Sequence, residues 1–195
     1  AGLRRPVWSW DFVRSKPITF ANLGGRASAD GSTPLALSQY ITTQFDPSVN
    51  WNDLDWLRSL WNGPLVVKGI QSVEDAHMAA DRGCQAIVLS NHGGRQLDGA
   101  PASLDLVAPV VDALAGRASV ICDGGVRRGG DIVKALALGA DACMAGRFYL
   151  YGRGAGGEDG VDYAIELLSE EVRRTMALIG CAKVEQISRK HLIQM

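Results

Sequence analysis

Four short apolar runs alternate with stretches whose apolar residues recur at helical spacing, from about residue 50 to the end of the chain. Leu54, Leu57, Leu60 and Trp61 predict a helix over 51–62, which Gly63-Pro64 stops. A strand follows at 65–68. Ser72 and Asp75 then offer caps for a helix running towards Gly83. The second strand is predicted at 86–90. Ser103 opens a helix through Leu104, Val107, Val111 and Leu114 that ends at Gly116. The third strand falls at 118–122, a helix at 132–138 closes at Gly139, and the fourth strand lies at 142–145. A longer helix, 161–179, closes at Gly180.

Short strands separated by helices predict a parallel sheet with both faces covered, either an open doubly wound sheet or a closed barrel. The strand ends favour the barrel. Each strand is followed at its C-terminal end by polar or glycine-rich residues: Lys68-Gly69, then SNHGGR from Ser90, DGGVR from Asp123, and Gly146-Arg147. A ring of functional loops at the strand C-termini is the barrel arrangement, and a full barrel takes roughly 250 residues. Four βα units make about half of one. The expected fold is therefore α/β, the C-terminal half of a (β/α)8 TIM barrel over 51–195. A long irregular excursion precedes it over 1–50 and holds the Gly/Ser-rich loop 24–33.

Composition narrows the function classes. The 195 residues are 47% hydrophobic and 21% charged, which is globular, and a net charge of −1 gives no reason to expect nucleic acid as a partner. No run of 18 apolar residues appears, so no bilayer-spanning helix is expected. Residues 1–17 carry charges and aromatics where a signal peptide would have an apolar core. Cys84, Cys122, Cys143 and Cys181 are too far apart for a zinc pattern, so no metal site is expected. Cys122 and Cys143 fall in apolar strands and read as small core residues. Reduced thiols without a secretion signal point to the cytoplasm.

The last two loops together read as a phosphate site. The run DGGVRRGG from Asp123 lets the backbone turn closely, with N–H groups and the start of a helix near Asp131 facing an anion. Gly146-Arg147 opens another helix with the same chemistry, and a guanidinium grips phosphate oxygens as a fork. Glycine turns with surface arginines are the plainer reading of either loop alone; two such loops, one strand apart, favour phosphate. His92 sits two residues past a buried strand beside two glycines, with Arg95 three residues on. Imidazole exchanges a proton near neutral pH, and Arg clamps a carboxylate. Lys68 ends an apolar strand, where its cation either meets an anion or reaches water along the rim.

The segments LVVKG from Leu65, LSNHGGRQLD from Leu89, DGGVRRG from Asp123, KALALGA from Lys134 and Gly146-Arg147 resemble the FMN-dependent 2-hydroxy acid oxidases and dehydrogenases. That family includes glycolate oxidase, L-lactate dehydrogenase and mandelate dehydrogenase. PVWSW from Pro6 and FDPSVNW from Phe45 resemble the bacterial L-lactate and mandelate dehydrogenases in particular. The resemblance implies FMN as cofactor and a small L-2-hydroxy acid, lactate- or mandelate-like, as substrate. It implies His92 as the base and Arg95 as the carboxylate clamp. Lys68 would lie against the flavin, Ser90 would approach it, and Asp123 would bind the ribityl chain. Gly124, Gly125, Val126, Arg127, Gly146 and Arg147 would hold the phosphate. Quinone or oxygen is the implied electron acceptor, and a homo-oligomer, often a tetramer, the implied assembly.

Against that family the first four βα units have no counterpart here, nor does the carboxylate that orients the His. The second expectation is thus a non-catalytic half-barrel that needs an N-terminal half to bind FMN. Trp8, Trp10 and Phe12, mixed with Arg4, Arg5, Arg14 and Lys16, suit the surface of an anionic membrane, and equally a loop packed over the barrel mouth. The family resemblance implies the former, through residues 1–45, on the inner face of the bacterial plasma membrane.

Overall fold

The computed structural model describes residues 6–15 and 42–193. The loop 24–33, Arg4, Arg5 and Lys16 lie outside the described residues. The chain divides into two compact units, Ala1–Val49 and Asn50–Met195.

In the first unit, Pro6–Arg14 forms a helix, α1, where the sequence pattern predicted irregular backbone. Proline suits the first turn of a helix, where its missing N–H is not needed. Trp8 and Phe12, four residues apart, stack with ring centroids 5.2 Å apart, and the Arg14 guanidinium lies over the Trp10 ring. No residue of α1 is buried.

The second unit opens with α2 (Trp51–Leu60). Its cap is reciprocal: Asn50 Oδ1 accepts from the Asn52 N–H, and Asp53 Oδ2 accepts from the Asn50 N–H. The elements that follow are β1 (Val66–Ile70), α3 (Val73–Asp81), β2 (Ala86–Leu89), α4 (Ser103–Leu114), β3 (Ser119–Asp123), α5 (Gly129–Leu138), β4 (Ala142–Met144) and α6 (Arg147–Leu178). Ser72 caps α3 as its sequence predicts, donated to by the Asp75 N–H at 3.0 Å. All neighbouring strands pair in parallel, in the order β1-β2-β3-β4. A parallel sheet in sequential order, with a helix after each strand, is a run of βα units.

Several boundaries differ from the sequence reading: α2 ends at Leu60, short of 62, and α5 starts at Gly129, ahead of 132. β1 runs two residues further, through a register irregularity between Lys68 and Ile70. The final helix begins at Arg147 rather than 161 and breaks at Gly156-Gly157, where Gly157 takes φ +63°. Its two limbs then touch backbone to backbone: a Cβ on Gly152 would stand 2.3 Å from the Gly160 carbonyl oxygen. That contact has no apolar periodicity, so a hydrophobic pattern does not reveal it.

The core lies between one face of the sheet and α3, α4 and α5. Ile87, Leu89, Val107, Val110 and Leu114 are fully buried there, with Val120 and Cys122 beside them. A smaller cluster under the C-terminal segment joins Val133 and Ala137 to Cys181 and Ile187. Arg189 ties that segment down, its fork meeting both Asp112 carboxylate oxygens at 2.7 and 2.9 Å. All four cysteines are free, and burial pushes the Cys122 and Cys143 thiols up to about 11 and about 12. Such thiols stay protonated and act as small apolar side chains.

Among the described residues, helices cover one face of the sheet, and the other is open in part, with Val88 and Ser90 buried on it. Side chains alternate along each strand, so the residues between the core positions share the other face. Val66 is 52% exposed and Met144 42%, and Lys68 and Asp123 share that face. α3, α4 and α5 pack on one side of the sheet, as helices do around the outside of a barrel wall, and α6 packs against α5.

Candidate functional site

The polar cluster on that open face begins with three strand ends. Lys68 on β1, Ser90 just after β2 and Asp123 at the end of β3 lie side by side because the three strands are adjacent and in register. Lys68 Nζ stands 2.8 Å from Asp123 Oδ2 and donates to Ser90 Oγ at 3.0 Å, while Ser90 Oγ donates to Asp123 Oδ2 at 2.7 Å. Burial would raise the Asp123 carboxyl, but the Lys68 ammonium, the Ser90 hydroxyl and the Gly124 N–H hold it below the usual aspartate value. Lys68 therefore meets the first of the two fates its sequence allowed, a partnered cation.

Ser90 is fully buried and also accepts from the His92 N–H at 3.1 Å. The next turn is tight. His92, Gly93 and Gly94 all have left-handed backbone, at φ +56°, +70° and +71°. For histidine this conformation costs about 1–2 kcal/mol. Asn91 stabilises it by accepting from the Gly93 and Gly94 N–H groups through Oδ1, at 3.0 and 3.3 Å. The turn lays the imidazole over β1: a Cβ on Gly69 would stand 2.9 Å from His92 Cε1. Gly69, at φ +105°, is thus required twice over, by its conformation and by the ring above it. Among the described residues the imidazole nitrogens of His92 have no hydrogen-bond partner.

Arg147, at the start of α6, reaches across to donate to the Gly93 carbonyl at 2.7 Å. Loop and helix together enclose a cavity of about 690 Å³. Lys68, His92, Arg95, Asp123, Gly124, Gly125, Val126, Arg127, Gly146 and Arg147 all line it, and Ser90 lies beneath its floor. The sequence-predicted residues are thus brought to one place. Gln96, Met144, Phe148, Leu150 and Tyr151 line it too and were not anticipated. The signal for Leu150 and Tyr151 was present: they lie three and four residues past Arg147, on the same side of a helix.

One sequence expectation needs correcting. Most N–H groups at the start of α5 are already taken by the protein's own carboxylates rather than left for an anion. Asp131 Oδ2 accepts from the Arg127 and Arg128 N–H groups at 3.0 Å each, and Glu171 Oε2 accepts from Gly129 at 2.7 Å. Carboxylates of the protein itself complement this helix end. What is left for an anion is the Gly124-Gly125 turn and the guanidinium groups. A Cβ on Gly125 would meet nothing within 4 Å, so the backbone there is open to close approach.

A cavity of this volume suits a ligand of cofactor size, lined by an unpartnered imidazole and several cations. Four cationic side chains, Lys68, Arg95, Arg127 and Arg147, face one carboxylate, and Lys68 already neutralises that one. The remaining positive charge fits an anion at each end, a phosphate by Arg127 and Arg147 and a carboxylate by Arg95. FMN, with one phosphate and an uncharged ring system, fits this set.

The sequence profile of the FMN-dependent dehydrogenases matches residues 1–194. An L-lactate dehydrogenase of Actinobacillus pleuropneumoniae serotype 5b (strain L20) is 41% identical over 194 residues, covering 97% of this chain and 50% of that protein. The crystal structure of the monotopic membrane protein (S)-mandelate dehydrogenase superposes with a TM-score of 0.89 at 43% identity, over 100% of this chain and 51% of its own. A mandelate oxidase variant with a monooxide FMN adduct gives a TM-score of 0.70 at 46% identity, over 74% of this chain and 46% of its own. The chain spans about half the length of the relatives it matches. The four βα units are accordingly the C-terminal half of a TIM barrel, and this chain belongs to the family of FMN-dependent dehydrogenases.

Proposed function

We propose that this chain supplies the base, the carboxylate clamp and the phosphate grip of an enzyme that oxidises a small L-2-hydroxy acid, lactate- or mandelate-like, to its 2-keto acid. The observation that carries this reading is that His92 and Arg95 line the same cavity as Lys68 and Arg147. Arg95 holds the substrate carboxylate, which fixes C2 near His92. His92 takes a proton from the substrate as it is oxidised. FMN, when bound, would accept the two electrons together with the substrate's second hydrogen. Arg127 and Arg147, with the Gly124-Gly125 turn, Val126 and Gly146, hold its phosphate. Lys68 would supply positive charge to the bound ring system, Ser90 would steady Lys68 and Asp123 beneath it, and Asp123 would accept from the ribityl hydroxyls while fixing Lys68. The test is His92→Ala: FMN stays bound, and its visible absorbance no longer bleaches on adding L-lactate or (S)-mandelate. Rapid bleaching in that variant overturns the role of His92.

A second reading rests on two observations: Val66 and Met144 are exposed at the sheet's edges, and the His92 ring has no carboxylate partner among the described residues. On this reading the chain is silent alone and needs a complementary N-terminal half-barrel. Such a half would cover Val66 and Met144, pair the open edges of β1 and β4, and orient the imidazole. Purified chain that is colourless with FMN, and turns yellow when a relative's N-terminal half is added, selects it. Quinone or oxygen is the proposed acceptor, and a homo-oligomer, a tetramer by family likeness, the proposed assembly.

Among the described residues no helix is long and apolar enough to cross a membrane. We propose instead peripheral attachment through residues 1–45 to the inner face of the bacterial plasma membrane. On α1 the exposed Trp8, Trp10 and Phe12 sit beside Arg14, an aromatic and basic mixture suited to anionic headgroups. Loss of co-sedimentation with anionic liposomes on deleting residues 1–45 is the expected result.

A further inference from the structure

Ser103 is the first residue of α4, yet its hydroxyl does not cap that helix. The cap position is Ala102, and no side chain caps the first turn. Ser103 is 4% exposed, and its Oγ is buried without a hydrogen-bond partner among the described residues. A buried hydroxyl in that condition is uncommon in a folded protein and calls for a partner. What faces it is a hollow. A Cβ built on Gly124 would fill this hollow, standing 3.6 Å from Ser103 Oγ and 3.2 Å from Asn91 Oδ1. The two polar oxygens stand at the two ends of the one loop that joins β2 to α4, with the Gly124 loop as the third wall. The hollow belongs to a cavity of about 290 Å³ that Ser103, Asn91, Gly124 and Gly125 line, behind the phosphate turn.

The orientation of Asn91 is fixed independently. Its Nδ2 donates to the Pro101 carbonyl at 3.2 Å, while Oδ1 accepts from Gly93 and Gly94. The oxygen that faces the hollow is therefore the same one that holds the His92 turn. An oxygen acceptor on one side and a hydroxyl, which both donates and accepts, on the other suit a ligand that can do both. Water does so, and two polar partners meet the minimum for a buried water.

We infer that a single ordered water occupies the hollow beside Gly124, joining Ser103 Oγ to Asn91 Oδ1 and so tying the start of α4 to the His92 turn. Ser103 is then a positioning residue. It acts through the water on Asn91, and through Asn91 on the left-handed backbone of Gly93 and Gly94. The water also gives Gly124 a purpose apart from phosphate contact, because any side chain there would expel it.

A crystal structure of the full chain, at a resolution that shows ordered solvent, tests the site directly. The expected result is one density peak within about 2.6–3.2 Å of both oxygens. No peak there, or a Ser103 hydroxyl turned onto a protein acceptor, overturns the proposal. Hydrogen exchange tests the coupling. Ser103→Ala speeds exchange at the Gly93 and Gly94 amides by about threefold or more, because their acceptor is no longer steadied. Ser103→Thr, which keeps the hydroxyl, restores the slow exchange. Equal rates at both amides in the parent and Ser103→Ala chains overturn the positioning role.

Discussion

The Lys68 ammonium meets the Asp123 carboxylate at 2.8 Å across the full width of β2, with the buried Ser90 hydroxyl joining both. Residues 55 positions apart in sequence become one charged cluster because parallel register sets their strand ends level.

That cluster has a predictable pH signature. The Asp123 carboxyl is held below its ordinary value of 3.8, so its contribution to stability is complete above that value. It is lost as pH falls through the lower folded value, where the native carboxylate is at last protonated. Asp123→Asn is expected to lower unfolding free energy at about pH 7 and to flatten its decline below about pH 4. Lys68 is 39% exposed, so solvent screening keeps the loss near 1–2 kcal/mol, below the roughly 3–5 kcal/mol of a fully buried pair. Urea titrations across that range measure it; parallel curves for parent and variant would remove the carboxylate from the account.

Gly69 and His92 form the second test. Gly69→Ala meets both a left-handed backbone and the imidazole 2.9 Å from the new methyl. The expected loss is about 1–3 kcal/mol, together with a shifted His92 ring resonance in the NMR spectrum. An unchanged His92 resonance in a stable variant would mean that the ring does not rest there.

Glu171 separates charge from hydrogen bonding at the start of α5. Glu171→Ala leaves the buried Gly129 N–H without its acceptor, at a cost of about 1–3 kcal/mol. Glu171→Gln keeps an acceptor oxygen and recovers most of that stability. Chemical denaturation of the two variants, with hydrogen exchange at Gly129, distinguishes them; equal losses would assign the effect to charge instead.

Arg147→Ala removes two contacts, the proposed phosphate fork and the bond to the Gly93 carbonyl. A charged hydrogen bond is worth about 1.5–3 kcal/mol, so FMN affinity is expected to fall about 10–100-fold. Riboflavin, which lacks the phosphate, should lose much less. Fluorescence titration with both flavins reads the difference, and equal losses would move the phosphate away from Arg147.

The sequence by itself determined the order of the elements and the chemistry at their ends. Strand and helix periods differ, so apolar spacing separates them, and the glycines, caps and polar strand ends mark where each stops. It also marked the candidate functional side chains, because His92, Arg95, Lys68 and Arg147 each follow an apolar run. Only the tertiary structure decided how these are used. Parallel register set Lys68 against Asp123, and the left-handed turn at His92 laid its ring on Gly69. Packing of α6 brought Glu171 to the start of α5, closing a helix end that looked open to an anion. Among the described residues it likewise left one sheet face open in part where strand composition predicted two covered faces. These relations join residues far apart in the chain, and a local pattern holds no record of which distant backbone will come within reach.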